Sequence, residues 1–447
     1  MPLGDPRELA PRDIIASGLC IGCGACAGPA RPMEWDSFGQ RQPRGPGTAA
    51  ASAAFARTCP FSPHAQNEDA VAATRFPHAP LGDSRIGRFE KAYVGHVEEG
   101  SYRADGSSGG MVSWVAAELL ATGAIDGVAH VVPTLPDASG APFFRYRISR
   151  SVDEVAEGAQ SRYYPVDLAE VLAEIRSTPG RYAVVGVPCF IKAMLLVCAE
   201  EPVVAERVTH LLGLFCGHMK SARFVDSFAW QLDAPMDQVR AVDYRRKDPH
   251  RPANWYTAHL SLSDGSARWR DWWHLADGDW GAGFFQYSAC NFCDDVVAET
   301  ADIAFGDAWV EPYSSDGRGT NVVIVRSPEL NQMVTQAIAE KRLSLRPVDA
   351  DFIADTQAAG LRHRREGLAY RLTWRRRGIT PRKRVAASRN LPLKRKLIYR
   401  LRAAISFASH RFAWAARRTG QPRLYVGWAR LSLRLYRRLA YGRRSGA

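Results

Sequence analysis

Apolar residues along this chain recur with two periods, and the order in which the periods alternate predicts an α/β architecture. Lys91–Val97 reads as a strand. It is followed by Ser107-Ser108-Gly109-Gly110 and a helix over Met111–Ala121, whose Met111, Val115, Leu119 and Leu120 share one face. Strands near Gly127–Val132 and Phe143–Ser149 precede a helix over Asp167–Arg176. Arg181–Val187 is the short apolar run of a buried strand; it ends at Pro188-Cys189 and gives way to helical spacing over Phe190–Cys198. The same unit returns with Thr209–Phe215, the turn Cys216-Gly217 and a helix from Ser221 to Leu232. Strand, turn and helix in succession imply βαβ units and a mainly parallel or mixed sheet. Functional loops of such sheets gather at the C-terminal strand ends, where Cys189 and Cys216 fall. Val239–Tyr244, Tyr256–Leu262 and Asn321–Arg326 are further strands, and Glu329–Lys341 a helix.

Ahead of this region lies Cys20-Ile21-Gly22-Cys23-Gly24-Ala25-Cys26. Three cysteines at this spacing wrap a tight loop that aims three thiols into one concavity. Gly22 and Gly24 are free to take positive φ and bare their N–H groups toward an anionic core. Ferredoxin-type 4Fe–4S clusters are held in this way, with a fourth cysteine, often followed by proline, closing the shell. The usual fourth position is Ala30 here, and Cys59-Pro60 is the nearby cysteine that supplies a replacement. A structural zinc site is the alternative, although zinc pairs two separated Cys-x-x-Cys units rather than three cysteines in one run. Cys189, Cys216, Cys290 and Cys293 form a second group, two at strand tips and two at ligand spacing. Small buried residues are the plain alternative for Cys189 and Cys216. Cys198, on an apolar helix without a partner, reads as structural. Ser107-Ser108-Gly109-Gly110 could leave helix N–H groups for a phosphate, or simply cap the helix.

Nine cysteines, with no apolar signal core at the N-terminus and no run of about 18 uncharged apolar residues, point to a cytoplasmic chain that uses thiols for metal or redox work. The net charge of +13 conceals an asymmetry. From Leu361 onward there are 26 Lys and Arg against one acid, Glu366, so the preceding 360 residues are net acidic. Within that tail Leu397, Ile398, Leu401, Ala404, Ile405, Ala408, Phe412 and Ala415 form one apolar stripe opposite Arg395, Lys396, Arg400, Arg402 and Arg411. Leu424, Trp428, Leu431, Leu435 and Leu439 form another after Gly420-Gln421-Pro422. Basic amphipathic helices suit an anionic membrane surface. Packing on the acidic body or a partner subunit is the alternative, and no specific nucleic acid is expected.

The motifs together resemble the coenzyme F420 hydrogenase/dehydrogenase beta-subunit family, which includes 7-hydroxymethyl chlorophyll a reductase. They are the Cys20–Cys26 loop, Ser108-Gly109-Gly110, Ser161-Arg162-Tyr163, Gly186-Val187-Pro188-Cys189, Gly213-Leu214-Phe215-Cys216, Cys290-Asn291-Phe292-Cys293 and Phe305-Gly306-Asp307-Ala308-Trp309, in the family's order. The resemblance implies an FAD on the α/β domain beside 4Fe–4S clusters, with electrons from ferredoxin or from reduced coenzyme F420, a deazaflavin. It makes Cys189, Cys216, Cys290 and Cys293 ligands of the cluster nearer the flavin, and Ser108, Gly109, Gly110, Ser161 and Tyr163 flavin contacts. His218, Lys220 and Lys247 are candidates for proton donation or anion binding, while Arg245 and Lys247 could equally form a solvated strand face. The expected organisation is a ferredoxin-like 4Fe–4S segment (1–75), an FAD and iron–sulfur α/β domain (88–360) and a basic amphipathic helical tail (361–447). The expected activity is an iron–sulfur flavoprotein oxidoreductase with two clusters and FAD, at the cytoplasmic face of the membrane. A non-catalytic electron-transfer subunit docking on a partner enzyme, a homo-oligomer, and a zinc-stabilised binding module are the alternatives.

Overall fold

The structure, a computed structural model, describes residues 5–136, 141–375 and 378–442. Positions 376–377 and 443–447 of the expected tail lie outside the described residues. Eleven strands carry the architecture: β1 (Lys91–Val97), β2 (Gly127–Pro133), β3 (Phe144–Ser149), β4 (Tyr182–Gly186), β5 (Val208–Leu214), β6 (Val239–Arg246), β7 (Thr257–Leu262), β8 (Ala267–Asp271), β9 (Ile303–Asp307), β10 (Asn321–Val325) and β11 (Leu343–Val348). Eight form one sheet in the order β11-β1-β10-β9-β5-β4-β2-β3. Its centre is parallel (β9/β5, β5/β4 and β4/β2), and antiparallel strands flank it on both sides. Strands β4 and β5 are buried along nearly their whole length, as a sheet covered on both faces requires.

One face packs on the helices Met111–Ala121 and Pro328–Ala339 through Trp114, Val115, Leu330 and Val334. The other packs on Ala169–Ser177 and Pro188–Glu200, and also on the N-terminal segment through Ile14, Leu19, Ile21 and Phe55. A second core is built on the sheet β6-β7-β8, the helix Arg223–Gln231 and an aromatic group that includes Phe224, Phe228, Tyr244, Trp272 and Phe285.

The basic tail departs from its expected form. Residues 358–371 make two short helices, Ala358–Arg364 and Glu366–Arg371, that bury Leu361, His363, Arg364, Leu368 and Arg371. Lys383 reaches Asp294 at 3.2 Å, and Arg384 pairs with Glu299 at 2.5 Å. The long helices Leu393–Thr419 and Pro422–Tyr441 form a hairpin seated on the second core. Its buried stripe runs Ile398, Ile405, Ser409, Ala413 and Ala416 on one helix and Tyr425, Ala429, Leu433 and Tyr436 on the other. The expected stripe is displaced because small polar residues do the docking: Ser409 Oγ accepts from the Phe285 N–H at 2.9 Å and Ser406 Oγ donates to Gln286 O at 2.8 Å. Leu397, Phe412, Leu424, Leu431 and Leu435 face outward instead.

Candidate metal centres

Helix Ala53–Thr58 ends at Cys59, which carries that thiol to the loop of Cys20, Cys23 and Cys26. Gly22 and Gly24 have φ of 72° and 78°. A side chain on Gly22 would also meet Arg41 O at 2.4 Å, so the turn and its packing both demand glycine. The Gly22 N–H faces the Cys20 sulfur, the Ala25 N–H that of Cys23, and the Phe61 and Ser62 N–H groups that of Cys59. The four thiols lie within electrostatic reach of one another. Burial pushes all four up, and neighbouring thiols add to it at Cys20, Cys23 and Cys59, which rises to about 12, while Arg31 opposes it at Cys26.

The inner set is assembled by the sheet. Strand β4 delivers Cys189 to the start of the helix Pro188–Glu200, where the helix dipole favours a thiolate. Strand β5 ends just before Cys216, whose N–H donates to Val296 O at 2.9 Å. The short helix Ser288–Phe292 brings Cys290, and Cys293 follows it. Cys189 is raised by burial first, then by Cys293, Cys216 and Cys290, and it also feels Cys23 of the other set. The two sets therefore adjoin. Cys198 has Arg75 and Glu201 as electrostatic neighbours.

Sequence reasoning missed Arg364. It is 1% exposed, and its Nη2 donates to Cys216 O at 3.1 Å and Gly217 O at 2.8 Å. Its charge acts on all four inner thiols; burial alone would lower the guanidinium, and the thiols more than reverse that. Among the described residues no three His, Cys, Asp or Glu side chains close on a single ion. The fit to a larger group rests instead on donor chemistry. Each set is four buried or partly buried thiols that ionise only against a strong counter-charge, and the inner set faces a buried guanidinium whose Nε and Nη1 have no partner.

Beyond Cys216 lies an aromatic cluster. Tyr163 stands 4.8 Å from Trp280, which stacks on His218 at 4.2 Å. The Ser161 N–H donates to Ser107 Oγ at 2.8 Å, bringing the Ser-Gly-Gly turn to the Ser161–Tyr163 loop. Arg245 is buried against Asp307 (3.0 Å) and Ser107 O (3.4 Å), so the solvated-face reading does not hold for it. Arg162 Nε, His218 Nε2, Tyr244 Oη, Arg245 Nε and Trp272 Nε1, on or beside this cluster, are buried without partners and so retain hydrogen-bonding capacity.

Several expected site residues have other employment. Gly109 and Gly110 are required by packing, since a side chain there would meet Asn321 N at 2.8 Å or the Tyr102 backbone at 2.5 Å. The Met111 N–H at the helix start is bonded to Asn321 Oδ1 at 3.1 Å. Lys247 Nζ is tied to the carbonyls of Ser108 (2.9 Å), Arg318 (2.8 Å) and Arg103. Lys220 Nζ donates to Phe284 O at 2.6 Å and lies over the Trp280 and Phe224 rings; burial drops it to about 7.

Comparison with known proteins gives the family. The family models of the coenzyme F420 hydrogenase/dehydrogenase beta subunit match residues 92–173 (N-terminal part) and 180–351 (C-terminal part), and the chain belongs to that family. A chain of the xenon-derivatised F420-reducing [NiFe] hydrogenase complex from Methanosarcina barkeri is similar to it at 16% identity and a TM-score of 0.49, over 65% of this chain and 94% of that one. Comparison with curated proteins gives no match. The Cys20–Cys26 loop, Arg364 and the hairpin lie outside the matched residues.

Proposed function

We propose that the protein is an iron–sulfur flavoprotein oxidoreductase, taking electrons from ferredoxin or a reduced deazaflavin such as coenzyme F420. The gathering of cysteines from both sets in and against one core, with Cys23 within electrostatic reach of Cys189, is the observation that carries this reading. Cys20, Cys23, Cys26 and Cys59 would hold one 4Fe–4S cluster and Cys189, Cys216, Cys290 and Cys293 the other, with FAD against Tyr163, Ser161, Ser107 and Arg245. Bound there, these groups supply one-electron carriers next to a two-electron carrier. With the groups bound, the chain's residues would shield them from water, Tyr163 and Arg245 would orient the ring, and Lys220 Nζ would hold a proton near neutral pH. The anaerobically purified full chain should contain close to eight iron and eight acid-labile sulfide, yield FAD on extraction, and bleach with reduced F420 or ferredoxin. Colourless protein with stoichiometric zinc would overturn the reading. A chain that bleaches but passes electrons only to dyes would be an electron-transfer subunit alone.

The second part of the proposal is that the hairpin works on an anionic membrane. No helix among the described residues is long and apolar enough to cross one, so attachment is at the surface. The outward face exposes Leu393 (71%), Phe407 (60%), Leu431 (68%) and Leu435 (54%) among Arg400, Arg411, Arg418, Arg430, Arg434 and Arg438, with no acid after Glu366. Each base near such a surface contributes about 1 kcal/mol. Full-length protein should sediment with phosphatidylglycerol vesicles and not with phosphatidylcholine vesicles. Phe407→Ser/Leu431→Ser/Leu435→Ser should abolish this while leaving folding intact. Binding to phosphate groups by charge alone would survive those substitutions. Failure of the native protein to pellet at low salt would refute the membrane role.

A further inference from the structure

We infer that Arg364 holds the inner metal centre at a higher reduction potential than the N-terminal one, so that electrons are drawn inward. The inference rests on the reading that both thiol sets hold iron–sulfur clusters. Four thiolates around such a cluster make an anionic centre, and each added electron deepens the charge. A fixed cation buried against it therefore favours the reduced form, and more strongly in a water-poor site than at the surface.

The two sets differ in this respect. Arg364 stands against the inner one, pinned by Cys216 O and Gly217 O, with Nε and Nη1 otherwise unpartnered. A guanidinium keeps its charge at any physiological pH, and its fork geometry fixes where that charge sits. Lys383 and Arg402 add cations facing Cys293 and Cys290, against Asp294 and Asp295. At the N-terminal set the facing cation is Arg31, half-exposed, with Nε on Cys26 O at 2.8 Å, while Asp36 and Asp167 place negative charge beside Cys20 and Cys23, that of Asp167 partly offset by Arg41 at 2.9 Å. The transfer balances simply. One electron leaves the N-terminal centre, which is oxidised, and enters the inner centre, which is reduced, with no bond made or broken; a reduced ferredoxin, itself a one-electron donor, supplies it.

The test is a redox titration followed by electron paramagnetic resonance on full-length holoprotein, its two signals assigned with Cys59→Ser, which leaves only the inner centre. In the native protein the inner centre should be reduced at the higher potential. Arg364→Gln should shift its reduction equilibrium at least tenfold toward the oxidised form, about 59 mV for a one-electron couple, and leave the N-terminal midpoint in place. Arg364→Lys should retain most of the native value. An inner midpoint at or below the N-terminal one in native protein would overturn the inference, even if Arg364→Gln fails to load its inner cluster. So would an unchanged inner midpoint in Arg364→Gln, or equal shifts in both centres. An iron content far below eight would instead defeat the underlying cluster reading.

Discussion

The N-terminal cysteine set is made by one glycine-shaped loop and the residue that ends one short helix, all between positions 20 and 59. The inner set draws on two parallel strand ends and a distant loop, between positions 189 and 293, and takes its counter-charge from position 364. The first is a local motif that a short sequence can encode on its own. The second exists only because a sheet brings its parts together, and the sheet then surrounds it with charges that belong to other functions of the chain. The lesson is that similar thiol chemistry can be given different electrical surroundings by building one site from a loop and the other from a fold.

The largest test of this contrast removes ligands. Cys189→Ser should halve iron and sulfide and leave the N-terminal signal, Cys59→Ser should do the reverse, and Cys198→Ser should change neither. Loss of a centre in the Cys198 variant would show that the sets are wrongly drawn. Next comes the ion pair that clamps residues 378–388 over the inner set. Lys383→Met leaves buried Asp294 with only its longer contact to Arg384 at 3.6 Å, a loss below the about 3–5 kcal/mol of a wholly broken buried pair; thermal unfolding should move to lower temperature, with the inner centre lost before the N-terminal one.

Acid should loosen the inner side as well. His410, buried under the hairpin between Ser406 O and Gln40, is dropped to about 4, chiefly by burial and then by nearby Arg411, Lys220 and Arg223, with Ser406 O opposing. The unfolded chain takes up this proton near pH 6.5 and the folded chain only near 4. The contribution is therefore intact above 6.5 and lost as pH falls through that window, by up to roughly 3 kcal/mol. Hydrogen exchange at pH 7 and 5 should show the hairpin amides losing protection first. The smallest effect is expected at the other set. Asp167→Asn removes a negative charge near Cys23 and frees Arg41, its partner at 2.9 Å, so the N-terminal midpoint should rise and narrow the gap.

Much of the sheet was legible because buried strands leave apolar runs. Lys91–Val97 and the helix Met111–Ala121 match the expectation, and Arg181–Val187 and Thr209–Phe215 shift by a residue or so. Strand β9 was not assigned from the sequence: Ile303–Asp307 is short, contains Gly306, and owes its extension to pairing with β5 and β10. The cysteine spacings were readable, whereas Arg364 was not. It sits between Arg362 and Arg365 in a run that looks like a solvated face, and only the packing of its helix turns this one base inward. The hairpin's docking face was hidden for a related reason. Ser406, Ser409 and His410 are polar letters, and their hydrogen bonds to Phe285 and Gln286 place them in the interface.

The hydrogen bonds from Arg364 to the carbonyls of Cys216 and Gly217 also order events during biosynthesis. A chain leaving the ribosome exposes Cys20 to Cys59 early, and closing that short stretch costs little entropy. The inner site is complete only after some three hundred further residues have emerged and the parallel strands have paired, which is the slow kind of pairing. Completion of the two thiol sets is thus staged, the first able to close early and the second only once the last third of the polypeptide is in place.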